Sequence, residues 1–341
     1  MRFGVQLFPL VSVEEALKLG KECEKLGFDS VWMPDHIIFS RKDLFSPEAW
    51  EVLLSIGLNT NKICVGTVVS DPHRCHPAFM SQRIATISQL LGEGRVILGL
   101  GAGESMNLDP YGIPWDKPVS RLEEAIEIIE GLWRATPEKP FSFEGRFFKL
   151  SNSYLQVKPK GKVPIYLGAN SPRTRKLTGK LADGWLPIGM PPKLYEKKLA
   201  EIRSIAKEAN RNVEAGILLW TALDRDKKKA LETLKLVSYA MVWPSMLEEI
   251  GIEVPREYKL RAAFHKVLPG DPKSLELLRK YAEFIPENII MEFGICGNRR
   301  DLEERLEEYI KGGVEHFVFG NFSPDRAWAL KEISEVIQFY R

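Results

Sequence analysis

Arg95-Val-Ile-Leu-Gly-Leu-Gly-Ala-Gly-Glu104 is an apolar run that closes in a glycine-rich turn and an acidic residue. The turn invites a dinucleotide-binding reading. It fails the GxGxxG spacing, because Glu104 stands where the third glycine would fall. No GxxxxGK[ST] occurs either, so NAD and P-loop readings are weak. Gly-rich turns still let backbone N–H groups approach an anionic cofactor tail. The run itself reads as a strand, and it is one of a series.

Upstream lie Gly4–Phe8, Ser30–Met33 and Lys62–Val69; downstream lie Val163–Gly168, Gly184–Ile188, Ala215–Ala222 and His316–Gly320. Between them, apolar residues recur at three- and four-residue spacing. Val13, Ala16, Leu17, Gly20 and Cys23 mark one helix face, and helices are expected over Glu48–Leu58, Phe79–Leu91, Arg121–Arg134, from about Arg173, Lys193–Glu208 and Ala327–Tyr340. Phe141–Leu150 reads as a hairpin about Glu144-Gly145. Eight strands, each followed by helical sequence, predict an α/β (β/α)8 TIM barrel with insertions. We expect one domain over 1–341, with a hairpin insertion at about 138–160 and a helical insertion at about 226–290. No linker, charge block or short repeat divides the chain.

The chain has 341 residues, 48 Lys plus Arg against 46 Asp plus Glu, a net charge of +2, 44% hydrophobic and 28% charged residues. That balance belongs to a packed globular protein. It excludes a disordered chain and a nucleic-acid protein that relies on a large positive field. No apolar run approaches the roughly 20 residues that span a bilayer, and no secretory signal is evident. Cys23, Cys64, Cys75 and Cys296 form no CxxC pair, so reduced thiols in a cytosol are expected. Scarce glutamine with abundant Lys and Glu resembles a thermophilic proteome.

A barrel carries its chemistry at the C-terminal strand ends. Those ends bring Gln6, Asp35 and His36, Thr67 to Asp71, Glu104 and Asn107, and Gly168 to Asn170. Asp35 and His36 form a candidate acid/base pair, because a histidine titrates near neutrality. A capping Asp beside a surface His explains them equally well. Glu104 reads alternatively as a first-turn residue favoured by a helix dipole. Asp71, His73, Cys75 and His76 fall close together, but their spacing matches no zinc pattern, so no metal is expected. Trp115, Trp220 and Trp243 read as core or pocket wall.

Several stretches together resemble the luciferase-like flavin and deazaflavin oxidoreductases, and within them the coenzyme F420-dependent methylenetetrahydromethanopterin reductases. They are Met1-Arg-Phe-Gly-Val5, Asp35-His36, Gly66-Thr-Val-Val-Ser-Asp-Pro72, Arg95–Glu104, Tyr111-Gly-Ile-Pro-Trp-Asp-Lys-Pro-Val119, Ile165-Tyr-Leu-Gly-Ala-Asn170, Ala182-Asp-Gly184 and Gly294-Ile-Cys-Gly297. The resemblance implies a TIM barrel with a non-proline cis peptide at Val68-Val69, backing the deazaflavin ring. It places Asp35, Thr67, Ser70 and Asp71 near the ring. It gives Gly168, Ala169 and Asn170 the phosphate end, and puts Glu104 and Asn107 along the cofactor cleft. It implies hydride transfer between the deazaflavin C5 and an electrophilic carbon, which in the reductases is the methylene carbon of the pterin. It also suggests a homo-oligomer, a dimer or higher.

Two departures bear on the chemistry. The reductases carry a glutamate where this chain has Gln6, and a neutral amide cannot act as an acid. Either His36 or Glu104 then takes the proton, or the substrate differs and the reaction needs no acid at that point. The His73-Arg-Cys-His76 loop also differs. FMN-dependent oxygen chemistry on the same fold, or a non-catalytic flavin-binding homologue, are the alternatives.

Overall fold

The computed structural model describes residues 1–261 and 270–341. Its strands, in chain order, are β1 (Arg2–Gln6), β2 (Ser30–Met33), β3 (Cys64–Thr67), β4 (Val96–Leu100), β5 (Phe141–Glu144), β6 (Lys149–Ser153), β7 (Ile165–Leu167), β8 (Gly184–Trp185), β9 (Glu214–Leu223), β10 (Ile295–Gly297) and β11 (His316–Asn321). The run β9-β11-β1-β2-β3-β4-β7-β8 is parallel throughout, and β8 pairs back onto β9, closing an eight-stranded (β/α)8 barrel. Strands such as β4, buried at every position, suit a sheet covered on both faces.

Outside the ring, helices bury one stripe each. Val13–Lys25 is started by Ser12, whose Oγ accepts from the Glu15 amide, and it buries Ala16, Gly20 and Cys23. Inside, the N-terminal end is plugged by a polar layer. Arg2 Nη2 donates to His316 Nδ1 at 2.9 Å, and an arginine cannot accept. The His316 proton therefore sits on Nε2 and points at Ser30 Oγ, 2.9 Å away, which also accepts from Trp32 Nε1. Burial and the facing Arg2 hold the His316 pKa well below its ordinary value, so the ring is neutral.

Several expected boundaries shift. β1 starts at Arg2, whose amide donates to Glu315 O, and stops at Gln6. β3 ends at Thr67 rather than Val69, the Val68–Val69 peptide is cis, and pairing resumes as a single bridge between Ser70 and Leu100. β8 ends after Trp185, because Pro187 has no amide proton to give the ladder; Ile188 rejoins by a bridge to Leu218. β10 was not expected as a strand. It is three residues long beside glycines, and it pairs with the extended top of β9 through Ile295 and Thr221.

The hairpin strands β5 and β6 flank Gly145 to Phe148, whose turn is held by Glu124. Its carboxylate accepts from the amides of Arg146, Phe147 and Phe148. Between β9 and β10, the described residues form helices Lys227–Lys235, Ser238–Met241, Pro244–Glu249, Arg256–Arg261, Pro272–Phe284 and Glu287–Phe293. The expected helical stretch also spans 262–269, which lie outside the described residues. Lys198 on helix Pro192–Glu208 places its Nζ 2.6 Å from Glu249 on helix Pro244–Glu249 and ties this segment to the barrel. The closing helix is Arg326–Ile337, shorter than expected. Among the described residues no helix is long and apolar enough to cross a membrane.

Candidate active site

Two adjoining clefts open at the C-terminal end of the barrel, of about 330 and 310 Å³. They share His36, Val69, Glu104, Gly168, Asn170 and Trp243. The first is walled by aromatic residues, among them Phe8, Phe39, Trp220 and Phe322. The second adds Asp35, Asp71, Asn107 and Thr174 to a largely apolar lining. An apolar cavity with a few convergent polar groups is the usual form of a small-molecule site.

His36 and Glu104 stand where the clefts meet, with His36 Nε2 3.7 Å from Glu104 Oε2 and side chains 17% and 25% exposed. Burial pushes the His36 pKa down, although Glu104 pulls the other way. Burial likewise pushes the Glu104 pKa up against the pull of His36. Both shifts favour neutral forms. The pair can therefore hold or pass one proton with little change of net charge, which suits general acid/base work. Glu104 stands at the N-cap of the short 3-10 turn Ser105–Asn107 and makes no side-chain capping hydrogen bond there.

The His36 segment is irregular backbone, yet it is fixed residue by residue. Arg74 Nη2 donates to Asp35 O at 2.5 Å. Ser46 Oγ donates to His36 O at 2.6 Å. Asn107 Oδ1 accepts from the amides of Ile37 and Ile38 at 2.7 and 3.0 Å. The His36 ring also lies 4.9 Å from the Phe39 ring.

Asp35 is not a helix cap. Its carboxylate pairs with Arg74 Nη1 at 3.1 Å and accepts from Ser70 Oγ at 2.5 Å, and Ser70 in turn accepts from Trp50 Nε1. Arg74 Nε also meets Asp71 Oδ2 at 2.6 Å. Burial opposes the Asp71 charge, but hydrogen bonds from His73 and the Arg74 cation outweigh it, holding its pKa well below the carboxylate range. Thr67 Oγ1 donates to Gly99 O and is fully buried. Thr67, Ser70 and Ala169 thus back the clefts rather than line them, whereas Val68, Val69, Asp71, Asn107, Gly168 and Asn170 line them.

Val69 seats against two glycines. A Cβ at Gly101 would stand 2.3 Å from its Cγ2, and one at Gly168 would stand 3.0 Å from its Cγ1. Beyond Asn170, Ser171 caps helix Pro172–Leu181 in a reciprocal capping box with Thr174. That helix start borders the second cleft through Ser171 and Thr174 and suits an anionic group. Asn170 Oδ1 is buried and makes no hydrogen bond, as do Gln6 Oε1 and Trp220 Nε1. A flat ring against Val69 with an anionic tail toward Asn170 fits this lining. Around Asp71, His76 Nδ1 instead caps its own helix at Ala78, and the described residues hold no group of three His, Cys, Asp or Glu side chains able to take a metal.

The model of the luciferase-like monooxygenase family matches residues 1–316. The chain belongs to that family. A curated relative is the 5,10-methylenetetrahydromethanopterin reductase of Archaeoglobus fulgidus, 30% identical over 99% of this chain and 98% of that protein. Among solved structures, an F420-dependent secondary alcohol dehydrogenase with an F420-acetone adduct superposes with a TM-score of 0.85 and 28% identity, covering 100% of this chain and 99% of the other. The coenzyme F420-dependent tetrahydromethanopterin reductase of Methanopyrus kandleri gives 0.79 and 26%, with coverage of 100% and 99%. The family's members found here are enzymes, and these relatives are oxidoreductases.

Sequence reasoning missed Arg74 and Ser46. Arg74 sits inside the loop weighed as a metal site, and a lone arginine there carries no pattern. Trp220, read as wall or core, proves to be wall.

Proposed function

We propose that this chain is a coenzyme F420-dependent oxidoreductase that moves a hydride between the deazaflavin and a carbon of a small substrate. The observation that carries the reading is the half-buried His36–Glu104 pair at the junction of the two clefts. Coenzyme F420, when bound, supplies or accepts the hydride at C5. Val68, Val69, Gly168 and Asn170 would hold it, with Asp35, Asp71 and Asn107 alongside; Thr67, Ser70 and Ala169 support that lining from behind. His36 and Glu104 hold or deliver the proton, and Gln6 serves as a neutral hydrogen-bonding group rather than an acid. The F420-dependent relatives favour this cofactor over FMN.

For the substrate, the relatives support a C1-carrying pterin, with 5,10-methylenetetrahydromethanopterin the leading candidate. A carbonyl or alcohol carbon is the second reading, favoured by Gln6 and by the aromatic wall of the first cleft. We further propose one barrel domain acting in the cytoplasm as a homo-oligomer, with the hairpin and the helical segment as insertions. The test is anaerobic re-oxidation of reduced F420 with the methylene pterin and with small ketones in parallel. Turnover of either class supports hydride transfer and selects the substrate. Turnover of neither, with cofactor bound, contradicts it.

A further inference from the structure

The uppermost interior row on three neighbouring strands is Gln6 on β1, Gly320 on β11 and Trp220 on β9, paired directly as Gln6 with Gly320 and Gly320 with Trp220. The central residue has no side chain. A Cβ there would stand 2.8 Å from Gln6 Oε1, 2.6 Å from Trp220 Cδ1 and 3.2 Å from Trp220 Nε1. The two flanking side chains therefore lean over the gap that Gly320 leaves. Both are more than nine-tenths buried, at 5% and 8% exposed, and both line the aromatic cleft. Neither Gln6 Oε1 nor Trp220 Nε1 has a hydrogen-bond partner.

A buried donor and a buried acceptor left open side by side are costly unless something fills them. We propose that the Gln6–Gly320–Trp220 row is a recognition subsite for an uncharged group on the substrate that both gives and takes a hydrogen bond, a hydroxyl or a carboxamide. A hydroxyl would donate to Gln6 Oε1 and accept from Trp220 Nε1. A carboxamide would donate its N–H to Gln6 and present its carbonyl to Trp220. Neither flanking side chain carries charge, and Phe8 and Phe322 pack about the row, with Phe322 4.6 Å from the Trp220 ring. The two arginines of the same cleft are already engaged, Arg41 by Asp43 and Arg326 by Glu15, so a carboxylate placed at the row would lose its water without a free counter-charge. The replacement of an acid by Gln6 thereby becomes a specificity feature.

The inference rests on the first cleft being the substrate side of the proposed oxidoreductase. Its test reads binding without cofactor or turnover. Protein labelled with nitrogen-15 at tryptophan is titrated with three probes of similar shape, 2-methylpropan-1-ol, 2-methylpropanamide and 2-methylpropanoate. The Trp220 indole signal is identified by its loss in Trp220→Phe. We expect the alcohol and the amide to move that signal saturably, and to bind about tenfold or more tighter than the carboxylate. Gln6→Leu, which retains the reporter, should weaken both by a similar factor, and Gly320→Ala should close the subsite. If Trp220→Phe does not fold, the signal displaced in Gly320→Ala identifies the reporter. Equal binding of the carboxylate, or an unchanged response in Gln6→Leu, would overturn the proposal. So would a Trp220 signal that no probe moves. Probe binding by a protein that takes up no F420 would leave this proposal standing and sink the cofactor reading instead.

Discussion

Arg74 joins two loops through one guanidinium, holding the Asp35 carbonyl and carboxylate on one side and Asp71 on the other. It touches neither ring nor proton of His36, so its role is positional. It also opposes charging of His36, whereas Asp71 and Glu104 favour it. Replacing Arg74 by Gln removes the cation and unpairs two carboxylates, so the His36 pKa should rise, read by carbon-13 histidine NMR across pH. Turnover should fall by about 10- to 100-fold, as for other residues that orient a reacting group. Arg74→Lys keeps the charge but not the fork, and should restore the pKa more fully than the rate. An unmoved His36 titration in Arg74→Gln would refute the clamp. Asn107→Ala leaves the Ile37 and Ile38 amides without their acceptor. It should cost about 1–3 kcal/mol in urea unfolding.

At the level of elements, Gly99 in β4 and Gly101 just after it let neighbouring strands and loops approach. A Cβ at Gly99 would stand 1.7 Å from the Thr67 carbonyl oxygen, a contact backbone cannot yield. Gly99→Ala should therefore destabilise the barrel by more than about 4 kcal/mol or prevent folding, checked by thermal unfolding. Gly92→Ala, which meets nothing within 4 Å but has φ +98° and ψ 172°, should cost about 1–3 kcal/mol through backbone strain alone. The eight barrel strands were legible because each is a short apolar run between helical periods. Their ends were not. Pro187 and the turn after Thr67 interrupt pairing without interrupting hydrophobicity, so β8 and β3 read too long. β10 escaped notice because three residues beside glycines carry no period.

Over the whole molecule, the site was legible as positions and not as partnerships. The rule that barrel chemistry gathers at strand ends led to His36, Glu104 and Asn170. It could not reveal that Thr67 and Ser70 spend their hydroxyls behind the cleft, since burial depends on neighbours far apart in sequence. The same holds for the plug at the other end, where Arg2, Ser30 and His316 meet across the barrel. His316 is neutral when folded and titrates normally when unfolded, so the unfolded chain binds the extra proton. Its contribution is complete above about pH 6.5 and is lost as pH falls below it. His36 acts with the same sign. Unfolding free energy should thus decline toward acid, by up to about 1.4 kcal/mol per pH unit for each group, and His316→Gln should flatten that slope in denaturant titrations.

If the mouth of this barrel takes a deazaflavin, the cofactor should bind without substrate. Anaerobic fluorescence titration with coenzyme F420 and with FMN, side by side, tests it most directly. The expected result is saturable F420 binding that Asn170→Ala weakens, with FMN bound feebly. Tight FMN binding beside a silent F420 titration would contradict it and move the chemistry to oxygen.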